Sequence, residues 1–122
     1  KQAVRLWRQR QMHTGLTHPA EYQIEHDAQG KPYVAGIQDR FVPSISVTHK
    51  ENVVLAIASA GPLGVDIEPA DRETRSLLET FATPEEIGLI DQLAGADPAA
   101  GWETRLWCAK EAAGKARGTG LN

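Results

Sequence analysis

Asp66 and Glu68 stand two residues apart in Gly64-Val65-Asp66-Ile67-Glu68, alternating with Val65 and Ile67. Side chains of an extended chain repeat every two residues, so both carboxylates leave one face and both apolar groups the other. Further on, Trp107-Cys108-Ala109-Lys110-Glu111-Ala112-Ala113-Gly114-Lys115 has helical character, with Trp107, Glu111 and Lys115 spaced by four along one stripe. If Glu111 packs near the extended segment, three carboxylates converge. Two carboxylates about 4 Å apart repel by roughly 4 kcal/mol at an effective dielectric near 20. Protonation, basic neighbours or a cation relieve this, and oxygen-only ligands on a rigid strand suit Mg²⁺. The plain alternative is a solvated edge carrying ordinary surface acids, because Asp-x-Glu alone is a common pattern.

Several elements must position these groups. Ser44-Ile45-Ser46-Val47-Thr48 alternates, which places Ile45 and Val47 inward and the hydroxyls outward. His49-Lys50-Glu51-Asn52 reads as a hairpin loop, and the apolar run Val53 to Ala58 as a central strand buried on both faces. Gly61-Pro62-Leu63-Gly64 turns the chain into a third strand carrying Asp66. In such a meander of residues 44 to 68 the directions run up, down, up. The ends of the first and third strands then share an edge, bringing His49 close to Asp66 and Glu68. Helices are expected near residues 84 to 94 and 98 to 117. Thr83-Pro84-Glu85-Glu86 carries a capping box and a proline at the first helical position, and Ile87, Ile90, Leu93 and Ala94 form a core-facing stripe. Asp97-Pro98 starts the last helix in the same way, Leu106, Ala109, Ala113 and Ala116 give it a small-residue packing face, and Gly118 stops it. Residues 2 to 13 read as a basic amphipathic helix, with Val4 and Trp7 on its apolar side and Arg5, Arg8 and Arg10 on a solvated face. Asp27-Ala28-Gln29-Gly30-Lys31-Pro32 reads as a turn. The fold class expected is α+β, an antiparallel meander packed against helices.

Two separated motifs in fixed order carry a resemblance. Gly-Val-Asp-Ile-Glu at 64–68, followed by Trp-x-x-Lys-Glu-Ala-x-x-Lys-x-x-Gly-x-Gly at 107–120, resembles the signature pair of the 4′-phosphopantetheinyl transferases. Those enzymes move the phosphopantetheine arm of coenzyme A onto a carrier-protein serine. Ser46-Val47-Thr48-His49, just before an apolar strand, resembles the family's first motif, with Thr48 where serine is more usual. The resemblance implies that Asp66, Glu68 and Glu111 ligate Mg²⁺ (Mn²⁺ is possible) and that His49 and Thr48 contact a coenzyme A phosphate. It implies that Lys31 lies near the nucleotide end and that Lys115 reaches the phosphates, with Lys110 a weaker candidate. Either Glu111 or a metal-bound water takes the serine proton. Phe81 and the helix after it resemble a region bordering the carrier protein, although a packed helix without chemistry explains these residues equally well.

The motif order resembles the larger, two-lobed members, so the 122 residues are read as a single transferase-like domain, incomplete at both ends, cut from or embedded in a longer synthase, or completed by self-association. A coenzyme A-binding or scaffolding module without turnover is the competing class, and a Mg²⁺-dependent phosphatase or nucleotide hydrolase a third. Partners implied are an acyl or peptidyl carrier protein of fatty-acid, polyketide or peptide assembly. A net charge of −3 without a basic, aromatic-interleaved run argues against nucleic acid. The single Cys108 excludes an internal disulfide, which fits a reducing, cytoplasmic setting. No apolar run approaches the roughly 20 residues of a membrane span. His13, His18 and His26 lack metal-ligand spacing and are read as surface residues.

Overall fold

The computed structural model describes residues 1–13, 17–70 and 74–119. Its order is α1 (Gln2–Met12), β1 (Gln23–His26), β2 (Pro32–Ala35), β3 (Ser44–Lys50), β4 (Val53–Ser59), α2 (Leu78–Phe81), α3 (Pro84–Ala96) and α4 (Trp102–Arg117), with 3₁₀ turns at Arg75–Leu77 and Pro98–Ala100. The class is α+β, and the strands form two antiparallel hairpins, β1–β2 and β3–β4. Val4 and Tyr22, each 1% exposed, centre a small core with Val34 and Ile45. Tyr22 is fixed there by its hydroxyl, which donates to the Lys1 carbonyl at 2.8 Å.

Two expectations about the strands change. Residues 65–68 join no ladder, and they bond to β3 rather than lying beyond β4. Side-chain bonds replace the ladder: the Val65 N–H donates to Ser46 Oγ at 3.1 Å, and the Val65 carbonyl accepts from Lys115 Nζ at 3.1 Å. Ile45 is buried as expected, but Ser46 and Thr48 are buried too while Val47 is exposed, so the apolar-inward alternation holds only at Ile45. Hydroxyls that find partners are buried at little cost. β4 in turn lies at an edge, with Val53, Val54 and Leu55 exposed, so its apolar run does not mark a strand covered on both faces.

The helices follow local chemistry more closely. The Thr83 hydroxyl accepts from the Glu86 N–H, and the Glu86 carboxylate accepts from the Thr83 N–H, forming the capping box. Asp97-Pro98 opens only the 3₁₀ turn; the left-handed Gly101 then resets the chain, and α4 starts at Trp102. Gly118 ends α4 at φ 78°. The face of α4 that meets the extended segment is made by Ala112 and Ala116; Ala109 and Ala113 are exposed. Gly64 makes this contact possible, because a Cβ there would lie 1.8 Å from the Ala112 carbonyl oxygen. On α1, Val4 is buried as expected, but Arg8 is buried too, at 5% exposure, and does not belong to a solvated face. His13, His18 and His26 are exposed. Among the described residues no helix is long and apolar enough to cross a membrane.

Candidate functional site

The site lies where β3, the 64–68 segment and α4 meet. Gly64 lets the segment touch the backbone of α4, and the two bonds on Val65 fix its height against Ser46 and Lys115. Asp66 is thereby held between β3 and α4. Its Oδ1 accepts from Lys115 Nζ at 2.6 Å and from the Thr48 hydroxyl at 3.2 Å. Its Oδ2 is buried and has no hydrogen-bond partner among the described residues. The side chain is only 8% exposed, so half of a carboxylate stands desolvated and unused. An uncompensated buried oxygen of this kind is costly.

Glu68 is equally enclosed, at 8% side-chain exposure, and its Oε2 lies 3.0 Å from Lys50 Nζ. Glu111 is half-buried, with no side-chain hydrogen bond or ion pair among the described residues. The expected meeting of three carboxylates is not seen: among the described residues no three His, Cys, Asp or Glu side chains gather into a group able to hold a metal ion. Each acid of the extended segment faces a lysine instead. Mutual repulsion is relieved by basic neighbours, one of the three remedies open to paired carboxylates.

Lys115 joins this centre to a cavity of about 200 Å³ lined also by Gly30, Lys31, Pro32, Ser46 and Gly118. Lys31 Nζ donates to the Ala116 carbonyl at 2.9 Å, tying the β1–β2 turn to the C-terminal end of α4, where a cation is favoured by the helix dipole. Two lysines therefore border one cavity, an arrangement that suits an anionic group. Thr48, which also carries the family-like motif, bonds directly to Asp66. His49 is exposed, and strand alternation sets it on the face opposite Thr48 and Lys50; no hydrogen bond or ion pair joins it to either acid among the described residues.

Lys110 is engaged elsewhere. Its Nζ donates to the Phe81 carbonyl at 2.7 Å and pairs with Glu86 Oε2 at 2.7 Å, while Phe81 meets Trp107 edge to face at 5.0 Å. Lys110 thus clamps the α2–α3 junction onto α4. The Lys110 bond, aided by the Thr83 N–H, holds the Glu86 carboxyl below its ordinary range.

Two positions at the site were not singled out from the sequence. Lys50 looked like a loop residue, yet it follows Thr48 by two in the same strand, and that interval alone puts both on one face. Gly64 looked like a turn residue, and its contact with α4 has no local signal.

Residues 62–122, half of the chain, match the family model described as the 4′-phosphopantetheinyl transferase superfamily. The matched stretch holds Asp66, Glu68, Glu111 and Lys115, while Lys31 and Thr48 come from outside it. No curated protein and no solved structure matches the chain.

Proposed function

Because the chain belongs to the 4′-phosphopantetheinyl transferase superfamily, we propose that it transfers the 4′-phosphopantetheine group of coenzyme A to a serine of an acyl or peptidyl carrier protein, with Mg²⁺ as cofactor and 3′,5′-ADP as the leaving product. Phosphopantetheine transfer is the general chemistry of the superfamily. The observation that carries the finer reading is the buried Asp66 Oδ2, without a hydrogen-bond partner among the described residues, on a carboxylate bonded to Lys115, which with Lys31 lines a cavity.

Mg²⁺ is bound by one or two carboxylates together with substrate phosphates and water, not by a complete protein cage. A hard anionic oxygen without a hydrogen-bond partner among the described residues, on a carboxylate whose lysine lines a cavity, suits that requirement without a preassembled triad. Asp66 would hold the ion, with Glu68 and Glu111 as further oxygen donors. When bound, Mg²⁺ offsets the charge developing on the pyrophosphate oxygens.

The chain's own residues supply the rest. Lys115 and Lys31 attract the phosphates, and Thr48 and His49 at the end of β3 are further candidates to contact them. The bond of Lys115 to Asp66 keeps the ammonium and the carboxylate in fixed relation, so little reorganisation is needed when substrate arrives. The serine oxygen forms a bond to the β-phosphorus, and the bond from that phosphorus to the bridging oxygen breaks. The electron pair leaves with 3′,5′-ADP. Glu111, which has no competing side-chain partner among the described residues, takes the serine proton directly or through a water.

One observation favours a second reading, a coenzyme A-binding or scaffolding domain without turnover: the three acids do not gather into a metal-holding group among the described residues. We also propose that the 122 residues act as one domain within a longer synthase or in a self-associated form. Mass spectrometry separates the readings. With coenzyme A and Mg²⁺, an apo carrier protein should gain one phosphopantetheine, and EDTA should abolish the gain. Coenzyme A binding without any gain would support the scaffold instead.

A further inference from the structure

We propose that Ser46 is a further phosphate-binding residue of this site. Its hydroxyl donates its proton to a phosphate oxygen seated in the lysine-bordered cavity while it holds Val65, and so ties the substrate's phosphate to the segment that carries Asp66. The inference rests on the reading given under Proposed function, that the cavity of Lys31 and Lys115 takes a phosphate of coenzyme A, and it adds a residue to that reading.

Ser46 lies in the middle of β3 and is 4% exposed. With its neighbours Ile45 and Val47 it lines the cavity that Lys31 and Lys115 also border. A serine hydroxyl has one proton to give and two lone pairs to receive with. Ser46 Oγ receives the Val65 N–H at 3.1 Å, and no acceptor takes its own proton among the described residues. A buried donor left unspent is costly, and a ligand that accepts from it removes that cost. The chemistry of the lining selects the ligand. Lys31 and Lys115 carry donors only, and Ser46 has a donor to spare, so all three are satisfied by an oxygen that only accepts. An anionic phosphate oxygen is such a group.

The position of Ser46 also couples the cavity to the acid. Val65 is held at both of its backbone groups, the N–H by Ser46 Oγ and the carbonyl by Lys115 Nζ at 3.1 Å, and both residues that hold it line the cavity. Lys115 bonds Asp66 Oδ1 at 2.6 Å as well. An anion that accepts the Ser46 proton polarises the hydroxyl and makes its oxygen a stronger acceptor for the Val65 N–H. Phosphate binding therefore tightens the hold on the residue next to Asp66.

Two measurements on the full chain test this, both in EDTA so that metal ligation by the acids contributes nothing. In amide correlation spectra titrated with inorganic pyrophosphate, the Val65 amide proton should move downfield and saturate. A merely structural Ser46 would keep the same bond with and without the anion. In calorimetry, folded Ser46→Ala should bind coenzyme A about tenfold more weakly than the wild type, the size of one hydrogen bond to a charged group, and Ser46→Thr, which keeps the hydroxyl, should stay within about twofold. Circular dichroism confirms folding, and should Ser46→Ala fail to fold, the wild-type Val65 shift decides alone. A Val65 amide that stays in place at saturating pyrophosphate overturns the role of Ser46. So does wild-type affinity in folded Ser46→Ala while Lys115→Ala binds more weakly. Wild-type affinity for coenzyme A in both Lys31→Ala and Lys115→Ala, or no binding of either ligand by the wild type, overturns the phosphate reading of the cavity and this inference with it.

Discussion

Two carboxylate–cation pairs, Arg8–Asp39 with its cation buried and Lys115–Asp66 with its acid buried, do opposite things. Arg8 on α1, 5% exposed, donates from Nη1 and Nη2 to the two oxygens of Asp39 at 3.0 and 2.8 Å, from Nε to Thr17 Oγ1 at 2.9 Å, and from Nη1 to the Phe41 carbonyl at 2.6 Å. Asp39 Oδ1 also accepts the Phe41 N–H at 2.7 Å, so both of its oxygens are engaged. The mutual hydrogen bond raises the guanidinium and lowers the carboxyl, each away from its ordinary value. This pair fastens α1 to the loop before β3. In Lys115–Asp66 the acid is the buried partner, yet its Oδ2 has no hydrogen-bond partner among the described residues. A saturated pair is architecture, whereas a pair with spare bonding capacity is poised for a ligand.

The sharpest way to break the comparison is to remove charge from the unsaturated side. Asp66→Asn should lower phosphopantetheine transfer by at least about 10³-fold, the scale on which a transition-state electrostatic contact acts, with circular dichroism and melting temperature close to wild type. Next in size is Gly64→Ala. Its new methyl meets the α4 backbone, so α4 must shift, costing about 3 kcal/mol of stability as overpacking does. Urea titration would read this, and activity should fall with it because Lys115 rides on the same helix. Arg8→Ala is the converse of Asp66→Asn. It should lower Tm by roughly 10 °C while leaving coenzyme A affinity of the folded fraction unchanged, as calorimetry below the transition would show.

The smallest effect is one of pH. Asp39 titrates below its ordinary value when folded, so on acidification the unfolded chain takes up its proton first. The contribution is therefore full above the ordinary carboxyl value of about 4 and is lost as pH falls through the lowered folded value. With Asp39 42% exposed the effect is modest. A plot of Tm against pH should be flatter on its acid side in Asp39→Asn than in the wild type.

The comparison also shows what a sequence can carry. Capping chemistry is local, and Thr83-Pro84-Glu85-Glu86 and Gly118 were legible because their partners lie within four residues. The α+β class came from the alternating segments and helix signals, and the proximity of Asp66 and Lys115, which are bonded at 2.6 Å, matched the expectation from two ordered motifs. What could not be read depended on contacts between distant segments. Arg8 looks like any basic residue of an amphipathic helix until Asp39 meets it from 31 residues away. The 65–68 segment looks like a strand, but the Val65 N–H and carbonyl are taken by Ser46 and Lys115, so alternation alone misplaced it and turned Val47 inward. Lys110 carried the same motif as Lys115 and went to a different task, because five residues of helix turn it toward Glu86.

Under the proposed function, the Asp66 oxygen without a hydrogen-bond partner among the described residues would help hold a cation together with the substrate phosphates. Calorimetric titration of coenzyme A with and without Mg²⁺, in wild type and Asp66→Asn, tests it most directly. Mg²⁺ should tighten coenzyme A binding about tenfold or more in the wild type, one phosphate-bridging contact's worth, and leave folded Asp66→Asn unaffected. An equal Mg²⁺ effect in both proteins would contradict the claim.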